Sequence, residues 1–217
     1  MINQPVFSST SNLFQNRLQY LKIELKNKIY INQAWKLFWS HSGLFIPFTI
    51  LFVILIVGLI FIPVAGQILV GVLYPFLSAG YFIVALKIIR GEQAEMSDFF
   101  KGLSLWYPLS INGLIGGLLT FVGFSFILPG LYLYFAYLFS IQMIIDENLS
   151  AWESLEASRK IITKIFFSFM FFTLITYLIV LLGFLALGIG LIVTFPLYFI
   201  IHAFAYEDIK KQIKFQI

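Results

Sequence analysis

The feature that most constrains this chain is the distribution of its charges. Every Lys, Arg, Asp and Glu lies before Leu44, between Lys87 and Lys101, between Asp146 and Lys164, or after Tyr206. The three stretches between them carry none, and each is long enough for two membrane passes of about 20 residues. A soluble fold needs a polar outer face on its helices. With 60% hydrophobic and 11% charged residues, this chain lacks the material for one.

Turn residues divide each uncharged stretch in two. Six spans are expected at about Leu44–Ile62, Ile68–Ile89, Leu105–Leu128, Gly130–Ile145, Ile165–Leu187 and Gly190–Tyr206. The fold class is therefore all-α, a polytopic transmembrane bundle of six spans in three hairpins. The turns "IPVAGQI", "LPG" and "LGIG" are uncharged, so all four charged segments share one face. Arg17, Lys22, Lys26, Lys28 and Lys36 against Glu24 make the first segment basic, and the positive-inside rule assigns that face to the cytoplasm. Residues 1–43 are expected to form a basic amphipathic N-terminal segment, 44–206 the membrane domain and 207–217 a cytoplasmic tail. Both termini are cytoplasmic on this reading. The first residues lack the basic-then-apolar layout of a cleaved leader, so the first span acts as its own targeting signal.

Each hairpin follows an amphipathic segment: "INQAWKLFWSHSG", "EMSDFFKGLSLWYP" and "NLSAWESLEASRKIITK". The expected form is a helix lying in the interface, with Trp35, Trp39, Trp106 and Trp152 at headgroup level, where tryptophan collects. In the third, Ser150 with Glu153 predicts a capping box. Trp152, Leu155, Ser158 and Arg159 share one face, opposite Glu153, Glu156 and Lys160.

The segments "RGEQAEMSDFFKGL", "FILPGLYLYFAYLFSIQMIIDE" and "SAWESLEASRKI" resemble a group of uncharacterised bacterial six-span membrane proteins. That group is related to the membrane domain fused to some glycerophosphodiester phosphodiesterases. The likeness covers roughly residues 34–208, and is sharpest at Asp98-Phe99-Phe100, Leu128-Pro129-Gly130 and Glu156-Ala157-Ser158-Arg159. It implies a six-helix fold in a bacterial cytoplasmic membrane and brings no activity, since the phosphodiesterase chemistry resides in a separate soluble domain.

Residues with chemical potential are few. There is no cysteine, and His41 and His202 are the two histidines, so thiolate chemistry and histidine-rich metal sites are excluded. No cofactor is expected. His202 is read as an interfacial histidine hydrogen-bonded to a neighbour, and Asn112 and Gln142 as amides bonding between helices. Gly113 and Gly117 have the spacing that lets membrane helices approach; Pro129, Gly130 and Gly190 are expected to form hairpin turns. Arg17, Lys22, Lys26 and Lys28 surround an apolar stripe suited to anionic lipid, and nucleic acid is not an expected partner.

These features favour a non-enzymatic protein of the bacterial cytoplasmic membrane. It would organise lipid or the envelope, or accompany a membrane-protein partner or a second copy of itself. The alternative is a transporter or lipid translocator, suggested by repeated hairpins and glycines. A lipid-modifying enzyme would have to draw on Asp98, Glu147, Glu156 and Arg159, whose spacing forms no acid–base or metal motif.

Overall fold

A computed structural model describes residues 22–186 and 188–216. Among these the chain is helical and contains no strand. The elements are α1 (Asn27–Ser40), α2 (Ser42–Ile60), α3 (Ala65–Ile89), a 3-10 segment (Met96–Leu105), α4 (Trp106–Phe124), α5 (Leu128–Ala136), α6 (Ser140–Glu147), α7 (Ala151–Lys164), α8 (Phe166–Leu185) and α9 (Leu191–Gln216). Five stretches are long and apolar enough to cross a membrane: Ser42–Ile60, Met96–Phe124, Leu128–Glu147, Phe166–Leu185 and Leu191–Lys214. Leu73–Ile89 of α3 is a shorter apolar helix.

The chain divides into two compact units. Of the described residues, one unit comprises Lys26–Leu105 and those within Thr173–Ala205, called here the α2–α3 unit; the other comprises 22–25, Trp106–Phe172 and 206–216, the α4–α7 unit.

The α2–α3 unit is organised by aromatic rings. Phe48 of α2 stacks on Phe99 of the 3-10 segment at 4.0 Å between centroids, and Tyr81 of α3 stacks on Phe199 of α9 at 4.7 Å. The buried Tyr81 hydroxyl donates to Thr49 Oγ1 at 2.9 Å, and Thr49 donates to the Phe45 carbonyl at 2.7 Å. That chain settles a polar tip in an apolar core, as buried tyrosine requires.

Three elements differ from their expected form. The segment at 96–105 is 3-10 rather than α. At about three residues per turn, Phe99 and Gly102 lie on one edge, and both are buried. Asp98 and Lys101 are likewise in register and pair at 2.5 Å. The expected fourth span is broken: α5 and α6 are separated at Tyr137–Phe139. The expected tail at 207–217 continues α9 as far as Gln216. Ile209 and Ile213 are buried there, and Gln212 exchanges hydrogen bonds of 2.9 Å with the Glu24 backbone in both directions.

The turns before α3 and α5 share one geometry. Val64 and Ile127 have φ near +60°, and the next residue's N–H bonds the carbonyl two back, Ala65 to Pro63 and Leu128 to Phe126. For a β-branched residue that conformation is strained.

Candidate functional site

The break in the fourth hydrophobic stretch is the most chemically distinctive place in the α4–α7 unit. Interrupting a helix in an apolar setting releases backbone donors and acceptors that must find partners within the protein. Ser158 of α7 supplies two of them: the Phe139 N–H donates to Ser158 Oγ at 3.2 Å, and that hydroxyl donates to the Ala136 carbonyl at 2.6 Å. With its amide nitrogen turned toward the turn, Gln142 donates to the carbonyls of Leu138 at 3.0 Å and Phe139 at 3.2 Å. One hydroxyl and one amide thus satisfy the interruption.

Asn112 extends the network from α4. Its Nδ2 donates to Ser154 Oγ at 3.0 Å, and its Oδ1 accepts from Ser140 Oγ at 3.1 Å. Asn112 therefore bonds between helices as expected, whereas Gln142 serves its own strand of backbone. All of Asn112, Ser140, Gln142, Ser154 and Ser158 are buried.

The face of α7 that makes these contacts is rotated from the expected one. Ala151, Ser154, Leu155, Ser158, Ile161 and Ile162 are buried, while Trp152 is 57% exposed. Small side chains set the contact: a Cβ on Gly116 of α4 would lie 3.0 Å from Leu155. The predicted capping box is present, with Glu153 N–H donating to Ser150 Oγ and Ser150 N–H to Glu153 Oε2. On its outer side Arg159 donates to both Glu156 oxygens at 2.7 and 2.8 Å, which holds the Glu156 carboxyl below its usual pKa against the opposing effect of burial.

At the end of α6, Asp146 and Glu147 meet Lys210 of α9. The ammonium contacts Asp146 at 2.5 Å and also reaches Glu147, and Tyr206 donates its hydroxyl to Asp146 at 2.9 Å. Sequence reasoning passed over Lys210; its signal is Tyr206 four residues earlier, on the same helix face. Among the described residues no group of three His, Cys, Asp or Glu side chains could hold a metal ion.

The other expected site residues fall as follows. Arg17 lies outside the described residues. Lys22 is exposed and 3.8 Å from Glu24, Lys26 precedes α1, and Lys28 is exposed on α1. Trp35 and Trp39 are exposed on α1 with rings edge to face at 5.8 Å; Trp106, the first residue of α4, is exposed too. Gly113 and Gly117 face outward, and nothing lies within 4 Å of a Cβ on Gly117. Close approach falls instead to Gly116 and Gly123, one register step away, where Leu155 and the Gly130 backbone are the neighbours. Pro129 occupies the first turn of α5, and a Cβ on Gly130 would stand 2.4 Å from the Phe124 nitrogen. A Cβ on Gly190 would stand 2.6 Å from the Gly183 carbonyl. His202 is fully buried in the protein, and its Nδ1 lies 2.9 Å from the Tyr198 carbonyl, a hydrogen-bonded neighbour as expected.

Within the α2–α3 unit, Leu174, Tyr177, Leu178, Val180, Leu181, Phe184 and Leu191 line an apolar groove of about 660 Å³ along α8 and the start of α9. That volume is within the roughly 300–1,000 Å³ of small-molecule sites.

No family model matches the chain, and no solved structure matches it. It is similar to uncharacterised proteins of Mycobacterium bovis and Mycobacterium tuberculosis, each 26% identical over 145 residues. The match covers 66% of this chain and 44% of each relative, so the chain spans less than half the length of these curated relatives. The chain is thus a helical protein with, among the described residues, five helices fit to cross a membrane, and with bacterial relatives of uncharacterised role.

Proposed function

We propose that this is a non-enzymatic, six-span protein of a bacterial cytoplasmic membrane whose role is to hold and organise membrane lipid. The observation that carries this reading is the groove along α8, whose lining offers aliphatic and aromatic carbon to an acyl chain. Native mass spectrometry of protein extracted gently from its membrane tests it. A discrete retained lipid is expected, and Leu178→Trp, which fills the groove, should remove it. Retention unchanged in both Leu178→Trp and Val180→Trp, or no retained lipid at all, overturns the reading.

Six spans require α3 to cross as well, and its 25 residues from Ala65 to Ile89 are long enough. The cysteine-free background makes the topology testable. Val64, Ile127 and Ile189 sit exposed in the three turns. Single cysteines there should label from outside the cell, and labelling from the cytoplasm sinks the six-span arrangement with cytoplasmic termini. Kinship with the membrane domain of glycerophosphodiester phosphodiesterases belongs to the same proposal.

One observation favours a second reading. Transporters place substrate sites at interrupted membrane helices, and the fourth hydrophobic stretch is interrupted at Tyr137–Phe139. Lipid flux in proteoliposomes that Ser158→Ala abolishes would identify a translocator; sealed vesicles without flux favour the lipid-holding role.

A further inference from the structure

Helix α1 has two unlike sides. Tyr30, Ala34, Leu37 and Phe38 are buried. Lys28, Ile29, Trp35, Lys36 and Trp39 are all exposed, and at 3.6 residues per turn they fall within an arc of about 120° on the opposite side. The helix contains no acidic residue. Among the described residues Lys28 and Lys36 make no ion pair, in contrast to Lys22, which meets Glu24. Two cations and two indoles therefore share a surface with no counter-charge of its own.

Chain continuity sets the level of that surface. α1 ends at Ser40 and the apolar helix α2 begins at Ser42, so a single residue separates the tryptophan face from the start of a membrane-crossing helix. Tryptophan rings prefer the headgroup level, and Lys36 lies between Trp35 and Trp39 in sequence and beside both on the helix surface. A phosphate at that level meets an ammonium with indole on either flank. A zwitterionic headgroup brings its own cation to the same place and gains less.

We infer that the Lys28–Trp35–Lys36–Trp39 face of α1 is a docking surface for anionic phospholipid, selecting lipids whose phosphate carries a net negative charge. This rests on the membrane placement proposed above and adds a headgroup preference to it. Of the four residues expected to meet anionic lipid, it keeps Lys28, which lies on α1, and it adds Lys36, Trp35 and Trp39.

The test uses the full chain in nanodiscs, with Trp106→Phe and Trp152→Phe so that Trp35 and Trp39 alone fluoresce. Nanodiscs of phosphatidylcholine with phosphatidylglycerol are made with the same brominated acyl chain on one lipid or the other. Brominated phosphatidylglycerol should quench more strongly than brominated phosphatidylcholine at equal mole fraction. Each lysine changed to glutamine should weaken that preference roughly five-fold, and Lys28→Arg with Lys36→Arg should keep it. Equal quenching by the two lipids, or a preference untouched by Lys28→Gln with Lys36→Gln, overturns the inference. Quenching by neither lipid would instead overturn the membrane placement of α1. Loss of the groove lipid with the quenching preference intact would leave this inference standing while the groove reading falls.

Discussion

Two charged segments, one in each unit, dock on their neighbouring helices by different means. The 3-10 segment Met96–Leu105 packs on α3, and α7 packs on α4, α5 and α6. The 3-10 segment docks by shape. A Cβ on Gly80 would stand 2.0 Å from the Phe99 carbonyl, and one on Gly102 would stand 2.4 Å from the Phe76 carbonyl. Backbone meets backbone there, and Asp98 locks the edge through Lys87 at 2.8 Å and Lys101 at 2.5 Å. Helix α7 docks by hydrogen bonds, from Ser154 and Ser158. The difference follows from the surface each one meets. An intact helix such as α3 has spent its backbone groups internally and offers only a contour. The interrupted α5–α6 offers a free N–H and a free carbonyl, which only a polar side chain can take.

The comparison is most easily broken at Gly80. Gly80→Ala drives a methyl into backbone that cannot withdraw, and should cost about 3 kcal/mol. Thermal unfolding in detergent measures it, and an unchanged midpoint would end the claim that the 3-10 segment docks by close approach. Ser158→Ala should cost about 2 kcal/mol, because a buried N–H and carbonyl are left without their partner. Amide exchange sharpens this: the Phe139 N–H should lose protection in Ser158→Ala while α3 amides keep theirs. Equal loss in both places would mean that Ser158 acts on general stability rather than on the interruption.

The smallest effect is expected on the outer face of α7. Glu156→Gln removes a partly exposed pair with Arg159 and should cost no more than about 0.5 kcal/mol. Its sign with pH is fixed by the lowered carboxyl pKa. The ion pair contributes fully above the unfolded glutamate value of about 4.3 and is lost as pH falls below it. A difference in midpoint between the parent and Glu156→Gln should therefore be present at neutral pH and vanish in acid. A difference that persists in acid would assign the effect to packing.

Much of this was legible in the sequence because it depended on spacing or on runs of composition. Ser150 and Glu153 predicted their capping box, and Asn112 its bonds between helices. The apolar stretches were read as six spans, and five helices among the described residues are long and apolar enough to cross a membrane. What could not be read was relative rotation. The spacing of Gly113 and Gly117 is as good as any, yet Gly116 and Gly123 take the contacts, because the side of α4 that meets α7 depends on where Leu155 sits. The same limit hid part of the stripe on α7: Leu155 and Ser158 lie on its buried side as expected, but Ala151, Ser154, Ile161 and Ile162 complete it in place of Trp152 and Arg159. The interruption at Tyr137–Phe139 was hidden for another reason: neither glycine nor proline marks it. It exists because Ser158, 19 residues further on, makes it affordable.

By itself the sequence determined the solvent. Three long stretches without charge allow no water-facing surface, so helices fit for a bilayer follow from hydrogen-bonding and transfer energies alone. Tertiary structure decided the polar pairings. Ser158 with the Phe139 amide, Lys210 with Asp146 and Glu147, and Asp98 with Lys87 depend on which helix faces meet. Such contacts are made at single atoms, and a periodic pattern of apolar residues specifies a face only to within about one residue's turn of the helix.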